Sequence, residues 1–439
     1  MTDSQFKQDE GSEQVKTKPR NFLMLIVYQV IVRCGWIFKT ESVVMPAVMQ
    51  MLGSPAWMRG CLTTINRFGQ SVPPLVISSR IRVARQKKRI ILVATSTMGG
   101  CFITLGLFWN ELAESNPIAM QGIFLVIYTI FFFATGINQL AVGTAQGKLI
   151  EAEHRGRLLT GANFVGALSA AALVLLLMPK WLNETTEDFT SIFLFTGSCF
   201  VAASLLVLLL DEKVDHYERE NNAVRESFKR ALKIIKTDAR FRRIALVGAL
   251  FSSSIMLFPH YQPMAQDVLD MDIANIGIWI VVQNIGVAGF SLILGPLADS
   301  RGNRFVLRVL LFGVLLTPIV ALVLANQESG GRLFWIVFTM IGLTPVTIRI
   351  LQNYTLELVG PSDQPHYLGT LSLCVAGPAM LSPLFAGSID LFDSYVPLFV
   401  GICVLLLIGW ILTFTLTEPR HEWVIERISQ ESISSSMSK

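Results

Sequence analysis

Charge is scarce in this chain of 439 residues: 15% are Asp, Glu, Lys or Arg, against about 25% in ordinary soluble domains. A water-facing globule is excluded on that ground. Cysteine is sparse too, and the six present (Cys34, Cys61, Cys101, Cys199, Cys374, Cys403) all fall inside apolar stretches without short-range pairing. They read as small buried hydrophobes, which excludes a disulfide or metal framework. The first 20 residues are polar with mixed charge and have no apolar core, so they form a cytosolic tail, not a signal peptide. His421-Glu422 lacks the second histidine of a zinc helix, Asp267, Asp270 and Asp272 lack the EF-hand spacing, and no nucleophile elbow or phosphate-binding glycine loop is found. These absences exclude the common enzyme classes, and no cofactor is implied. The net charge of +4 does not point to nucleic acid, because the basic residues cluster in joints instead of forming a stripe with aromatics.

What the chain has in plenty is apolar length. Hydrophobic residues make up 52% of it and mean hydropathy is +0.53. A helix rises about 1.5 Å per residue, so about 20 apolar residues cover a hydrocarbon core of about 30 Å. Twelve stretches reach that length: 21–51, 57–79, 90–108, 120–143, 158–178 and 191–210, then 244–261, 273–297, 305–325, 333–354, 368–389 and 396–416. The chain reads as an all-α integral membrane protein with lipid as its solvent.

The joints alternate in charge. The one after span two carries Arg80, Arg82, Arg85, Lys87, Lys88 and Arg89, while the next carries Glu111 and Glu114 and no base. Lys148, Arg155 and Arg157 follow span four and Arg301, Arg304 and Arg308 follow span eight; Glu184, Glu187 and Asp188 follow span five and Asp267, Asp270 and Asp272 follow span seven. The positive-inside bias then puts both termini in the cytoplasm, in a plasma or inner membrane. The joint 211–243 divides the spans into halves, 21–210 and 244–416, between the tails 1–20 and 417–439. Within it Phe228, Ala231, Leu232 and Ile235 share a helical face among Lys229, Arg230, Lys233 and Lys236, which fits either a helix on the anionic leaflet or a solvated linker. The Ser-rich end of the chain has the composition of disorder, and Asn183-Glu184-Thr185 is a glycosylation sequence in a secretory-pathway host.

Weak internal repetition accompanies this division. Pro74-Leu75 and Pro296-Leu297 precede the basic joint of each half, and Glu151, His154, Gly161 match Glu357, His366, Gly369. The stretch GPLADSRGNRFVLR, 295–308, resembles the loop signature of the major facilitator superfamily, with Gly295, Leu297, Asp299, Gly302 and Arg304 at the matching places. The resemblance implies twelve transmembrane helices in two six-helix halves that rock about a central path. It also implies a cytoplasmic gate built on Gly295, Asp299, Arg301, Gly302 and Arg304. Gly302 would allow the tight turn, and Asp299 would face the positive end of a neighbouring helix. Ser300 departs from the pattern, and the first-half copy, LVISSRIRVARQKKR, lacks both aspartate and glycine. Span five has Gly161, Gly166 and Ala167 without the proline of the antiporter signature, which weighs against a drug/proton antiporter.

A charged side chain near the bilayer centre costs at least about 2.5–3.5 kcal/mol, so it faces a cavity or a partner. Arg33, Lys39 and Glu41 in span one, Arg67 in span two and Arg349 in span ten are of this kind. On a continuous helix Lys39 and Glu41 point to nearly opposite faces and Arg33 lies about 80° from Glu41. In proteins this chain resembles, spans one, four, seven and ten line the path. That places Arg33, Asn138, Gln139, His260, Tyr261, Gln262, Arg349, Gln352 and Asn353 there, with Gln283 and Asn284 joining from span eight. The substrate-binding candidates are Arg33, Arg67, Gln139, Gln283, Asn284, Arg349 and Asn353. Arginine's planar fork suits carboxylate or phosphate, so the expected partner is a small organic anion, with or without a co-transported ion. Glu41 is the proton-coupling candidate and His260 a weaker one. A purely structural ion network is the alternative for these groups. For the chain as a whole, the alternatives are a drug/proton antiporter or exporter of the same fold and a non-transporting sensor or lipid-moving protein. A monomer is expected, and uphill work would draw on an ion gradient.

Overall fold

The computed structural model describes residues 17–183, 186–214, 224–360 and 363–418. The tails beyond those limits, and Glu184 and Thr185 of the glycosylation sequence, lie outside the described residues. Among the described residues, eleven helical stretches are apolar and long enough to cross a membrane. The twelfth span, Ala56–Val83, is long but carries Arg59 and Arg67 on its buried and cavity-facing sides. It is held between spans four and eleven. The fold is therefore the all-α, twelve-span architecture read from the sequence. Large side chains such as Leu292 (77% exposed), Leu384 (75%) and Leu391 (77%) point outward, as a lipid-facing surface requires.

Helix starts follow local chemistry. Proline opens spans one and four, at Pro19 and Pro117, where its missing N–H costs nothing. Asn116, Asp188 and Asp238 cap spans four, six and seven by accepting backbone N–H bonds from Ala119, Ser191 and Phe241 at 2.9–3.0 Å.

The packing repeats between halves. In the first half, span one lies against five and six, span three against four and six, and span two against four; in the second, span seven lies against eleven and twelve, nine against ten and twelve, and eight against ten. Adding six to each member of the first set gives the second. The halves meet where span two runs along eleven and span five along eight, two contacts that the same exchange interconverts.

Two spans that read as continuous are broken. Span one is helical over Pro19–Ile37, turns through 38–43 and resumes as Val44–Met51; span seven is helical over Ala239–Met256 and resumes as Phe258–Leu269, with Pro259 at the restart. A hydropathy average does not register such breaks, because the polar residues of the 38–43 turn are few beside the apolar segments that flank them, and the break in span seven falls on Leu257, itself apolar. The two second segments pack together at the end bearing the acidic joints, where Gln50 Nε2 donates to Asp267 at 2.6 Å and Gln262 Nε2 to Gln50 at 3.3 Å. Span eleven also breaks, between Gln364–Ala379 and Ser382–Phe392, beside Pro378 and Pro383.

At the opposite, basic end each half is latched to itself. Glu212, just past span six, accepts from the Lys87 and Lys88 amides that open span three, both at 2.8 Å, and from Lys148 Nζ at 2.9 Å. Glu418, just past span twelve, takes the corresponding place at span nine: it pairs with Arg304 at 3.4 Å and packs under Gly302. Gly302 has φ +84° and ψ 155°, a conformation essentially restricted to glycine. The first-half loop lacks the aspartate and glycine of the motif, yet its helix start still receives a carboxylate.

Candidate binding cavity

A cavity of about 520 Å³ lies between the halves. Spans one, two and four supply most of its wall, span five adds Ala162 and Asn163, and the second half contributes Phe258, Gln283 and Asn284. Its acidic end is shut. The carboxylate of Asp390 in span eleven accepts from the Ala56 and Trp57 amides that open span two, at 2.7 and 2.9 Å. Thr63 and Thr64 donate to the carbonyls of Ile255 and Ala379. Gly60 lies so close to span eleven that a Cβ on it would stand 2.9 Å from both the Ser382 carbonyl and the Ala386 Cβ. Ser42 in the turn of span one donates to Gln283 of span eight at 2.7 Å. Toward the basic end Gln139 and Asn163 are exposed, and the cavity opens that way.

The break in span one brings Lys39 and Glu41 together. Their separation on a helical wheel does not apply, because both lie in the 38–43 turn. Lys39 Nζ stands 3.2 Å from Glu41 Oε1 and is 1% exposed. Its ammonium also lies 3.5 Å from the centroid of the Trp36 ring and 4.4 Å from that of Phe132, a cation–π enclosure that replaces part of its hydration. Asn66 Nδ2 donates to the other Glu41 oxygen and Gln70 Nε2 to Asn66 Oδ1. The Tyr128 hydroxyl faces Glu41 without closing a hydrogen bond, and the Arg67 charge acts on the same carboxylate.

The structure unites five of the seven substrate-binding candidates: Arg33, Arg67, Gln139, Gln283 and Asn284 line the cavity together with Glu41. Arg33 donates to Asn163 at 3.1 Å and does not pair with Glu41. Arg67 Nε has no hydrogen-bond partner. Asn284 is tied to the Ile280 carbonyl at 2.8 Å. Arg349 and Asn353 do not join the wall; both are exposed on the Leu343–Glu357 helix, where the Arg349 charge still reaches Arg33. Asn138 lines the cavity but its oxygen is occupied by Tyr28 and Thr95, at 3.0 and 3.1 Å. His260, Tyr261 and Gln262 are buried outside it, and neither His260 ring nitrogen has a hydrogen-bond partner. The restart of span seven at Phe258 turns that segment into the acidic-end packing, which is why these three leave the path.

Sequence reasoning missed Trp36, Asn66, Gln70 and Asn163. Asn66 and Gln70 lie on span two and Asn163 on span five, outside the spans that the resemblance placed along the path, so their carboxamides were passed over. The signal available was spacing: Asn66 and Gln70 are four apart, on one face with Arg67 between them in sequence. In the loop 295–308, Asp299 and Arg301 are exposed, Arg301 lies over the Phe305 ring at 5.4 Å, and Gly295 has open space where a side chain would be.

Twelve spans in repeated halves around a polar cavity closed at one end define a membrane transporter. The sequence model of the Major Facilitator Superfamily matches residues 37–353, and the chain belongs to that family. Solved structures agree on the fold. A variant of the nucleoside transporter NupG superimposes with a TM-score of 0.71 at 10% identity, covering 90% of this chain and 99% of that one. The D-xylose-proton symporter gives 0.67 at 10% identity, with 91% and 98% covered. A bacterial homologue of the human lysosomal transporter Spinster, inward-facing and unoccupied, gives 0.63 at 13%, with 91% and 97% covered. Among curated proteins none matches.

Proposed function

We propose that this protein carries a small hydrophilic anion across the plasma membrane by alternating access, with both termini in the cytoplasm. The observation behind this reading is the pair Arg33 and Arg67 in the cavity wall, neither in a salt bridge with a carboxylate, while Lys39 is already matched to Glu41. Two such guanidinium groups in a partly dehydrated site favour a carboxylate or phosphate. The closed acidic end and open basic end correspond to an inward-facing state. In the opposite state the 295–308 loop would close the cytoplasmic mouth.

A second reading, an uncharged polyhydroxylated solute, draws support from the carboxamides Gln29, Asn66, Asn138, Gln139, Asn163, Gln283 and Asn284 in the same wall, and from the nucleoside and xylose carriers of this fold. Uptake into vesicles containing the purified chain separates them. Saturable uptake of carboxylates or phosphates, lost in Arg33→Gln and Arg67→Gln at unchanged protein level, supports the anion. Uptake of sugars or nucleosides that survives both changes favours the second reading.

A further inference from the structure

A row of amides joins the buried ion pair to the open wall of the cavity. Asn66 Nδ2 donates to Glu41, Gln70 Nε2 to Asn66, and Gln139 Nε2 to Gln70 at 3.4 Å. The row passes from the turn in span one through span two to span four and ends on the exposed Gln139. Every donor in it points toward Glu41. One charge dictates that uniform direction, because an ionised carboxylate can only accept and Asn66 must therefore offer its nitrogen. Its oxygen is left facing Gln70, which must answer with nitrogen, and the same choice passes on to Gln139.

We propose that these amides form a relay that converts protonation of Glu41 into a change of hydrogen-bonding character at Gln139, coupling an anionic solute to a proton moving in the same direction. The solute part rests on the anion reading above. A protonated Glu41 donates its new O–H to Asn66, which accepts only after a half-turn of its amide. Asn66 nitrogen then donates to Gln70 oxygen, and Gln70 nitrogen to Gln139 oxygen. Oxygen and nitrogen exchange places at each step, so no side chain has to leave its site.

At the cavity wall Gln139 gives up its free acceptor and turns both amide hydrogens toward the solute. A carboxylate or phosphate only accepts, so it gains. The groups facing Glu41 give the same sign. They are Lys39 from its own segment, Arg67 from span two and the Tyr128 hydroxyl from span four. Neutralising Glu41 leaves the two cations unopposed, and the cavity becomes more positive by one charge. By reciprocity an anion that binds beside them draws a proton onto Glu41. A monoanion and its proton would then cross as a neutral pair.

Infrared difference spectra between high and low pH test the relay without any solute, using the purified full chain with heavy carbon at the glutamine side-chain carbonyls. The expected result is a protonated-carboxyl band removed by Glu41→Gln, accompanied by label-sensitive glutamine bands with the same pH midpoint. Gln70→Leu should keep the carboxyl band and lose the glutamine bands, and Asn66→Leu should do likewise if the first variant does not fold. A carboxyl band that titrates with no glutamine bands overturns the relay. So do glutamine bands that persist in either variant, or the lack of any Glu41-dependent carboxyl band.

The coupling is read separately with gluconate, a hydroxylated monocarboxylate. Its binding should weaken about tenfold per pH unit above the Glu41 midpoint, the slope for one linked proton, and lose that dependence in Glu41→Gln. Gluconate binding without pH dependence overturns the coupling. No gluconate binding at any pH overturns the anion clause and leaves the relay to the infrared result.

Discussion

Removing the Asp390 carboxylate should open the acidic end of the transporter. Asp390 accepts from the first two amides of span two, and it is the only side chain of span eleven that we find bonded to those amides among the described residues. A helix cap of this kind is worth about 0.5–2 kcal/mol. Because Asp390 is exposed, we take about 1 kcal/mol, near the middle of that range. The bonds form only while spans two and eleven are together, so the whole loss falls on the closed arrangement. Since 1.4 kcal/mol is tenfold, Asp390→Ala should raise the fraction open at this end about fivefold. The assay is the labelling rate of Thr63→Cys by a membrane-impermeant thiol reagent added on the side of the membrane that the acidic end faces, in a chain whose six native cysteines are serine. Thr63 is 2% exposed at this seam, so labelling reports opening. Asp390→Asn keeps an acceptor and should fall between the two. An unchanged rate in Asp390→Ala, in a chain that folds and inserts normally, would refute the assignment of the cap as a closure contact.

Gly60→Val should act in the same direction and more strongly, because its side chain would collide with the Ser382 carbonyl and Ala386. Overpacking costs about 1–3 kcal/mol, and the same labelling assay reads it. Gly302→Ala should lower the thermal midpoint without altering closure of the acidic end; it forces alanine to φ +84° against Glu418, for about 1–3 kcal/mol. Glu212→Gln should also lower that midpoint, by removing the charge that joins span three to Lys148; an unchanged midpoint would show the latch to be dispensable. Lys18 lies 2.6 Å from Asp211 and holds its carboxyl below the ordinary value. A depressed carboxyl stabilises above its unfolded value and loses that contribution as pH falls through its folded one. The protection of the amides in the first turn of span one, taken relative to their intrinsic exchange rates at each pH, should therefore fall in acid, and that fall should be absent in Asp211→Asn.

Much of this architecture is legible in the chain. The count of spans follows from apolar length, and the division into halves from the polar joint. The span read as 57–79 is helical over Ala56–Val83 although it is more polar than the others. What escapes is wherever the backbone leaves the helix without leaving the oil. The turn at 38–43 is short and lies between two apolar segments, so it reads as part of one helix on which Lys39 and Glu41 diverge, whereas in the structure they pair. The restart at Phe258 similarly carries His260 out of the path. Glu212 and Glu418 were hidden for another reason: each acts on a helix far from it in sequence, and nothing local marks a carboxylate just past a span as the cap of another.

Seventeen of the twenty side chains around the cavity belong to the first half, and only Phe258, Gln283 and Asn284 to the second. On the proposed alternating-access reading, a solute seated there would be cargo of one half, for which the other would serve as a lid. Any preference of that cargo for one orientation can arise only from contacts that differ between the two. On that reading the three side chains of the lid would hold most of the thermodynamic leverage over which way the door stands.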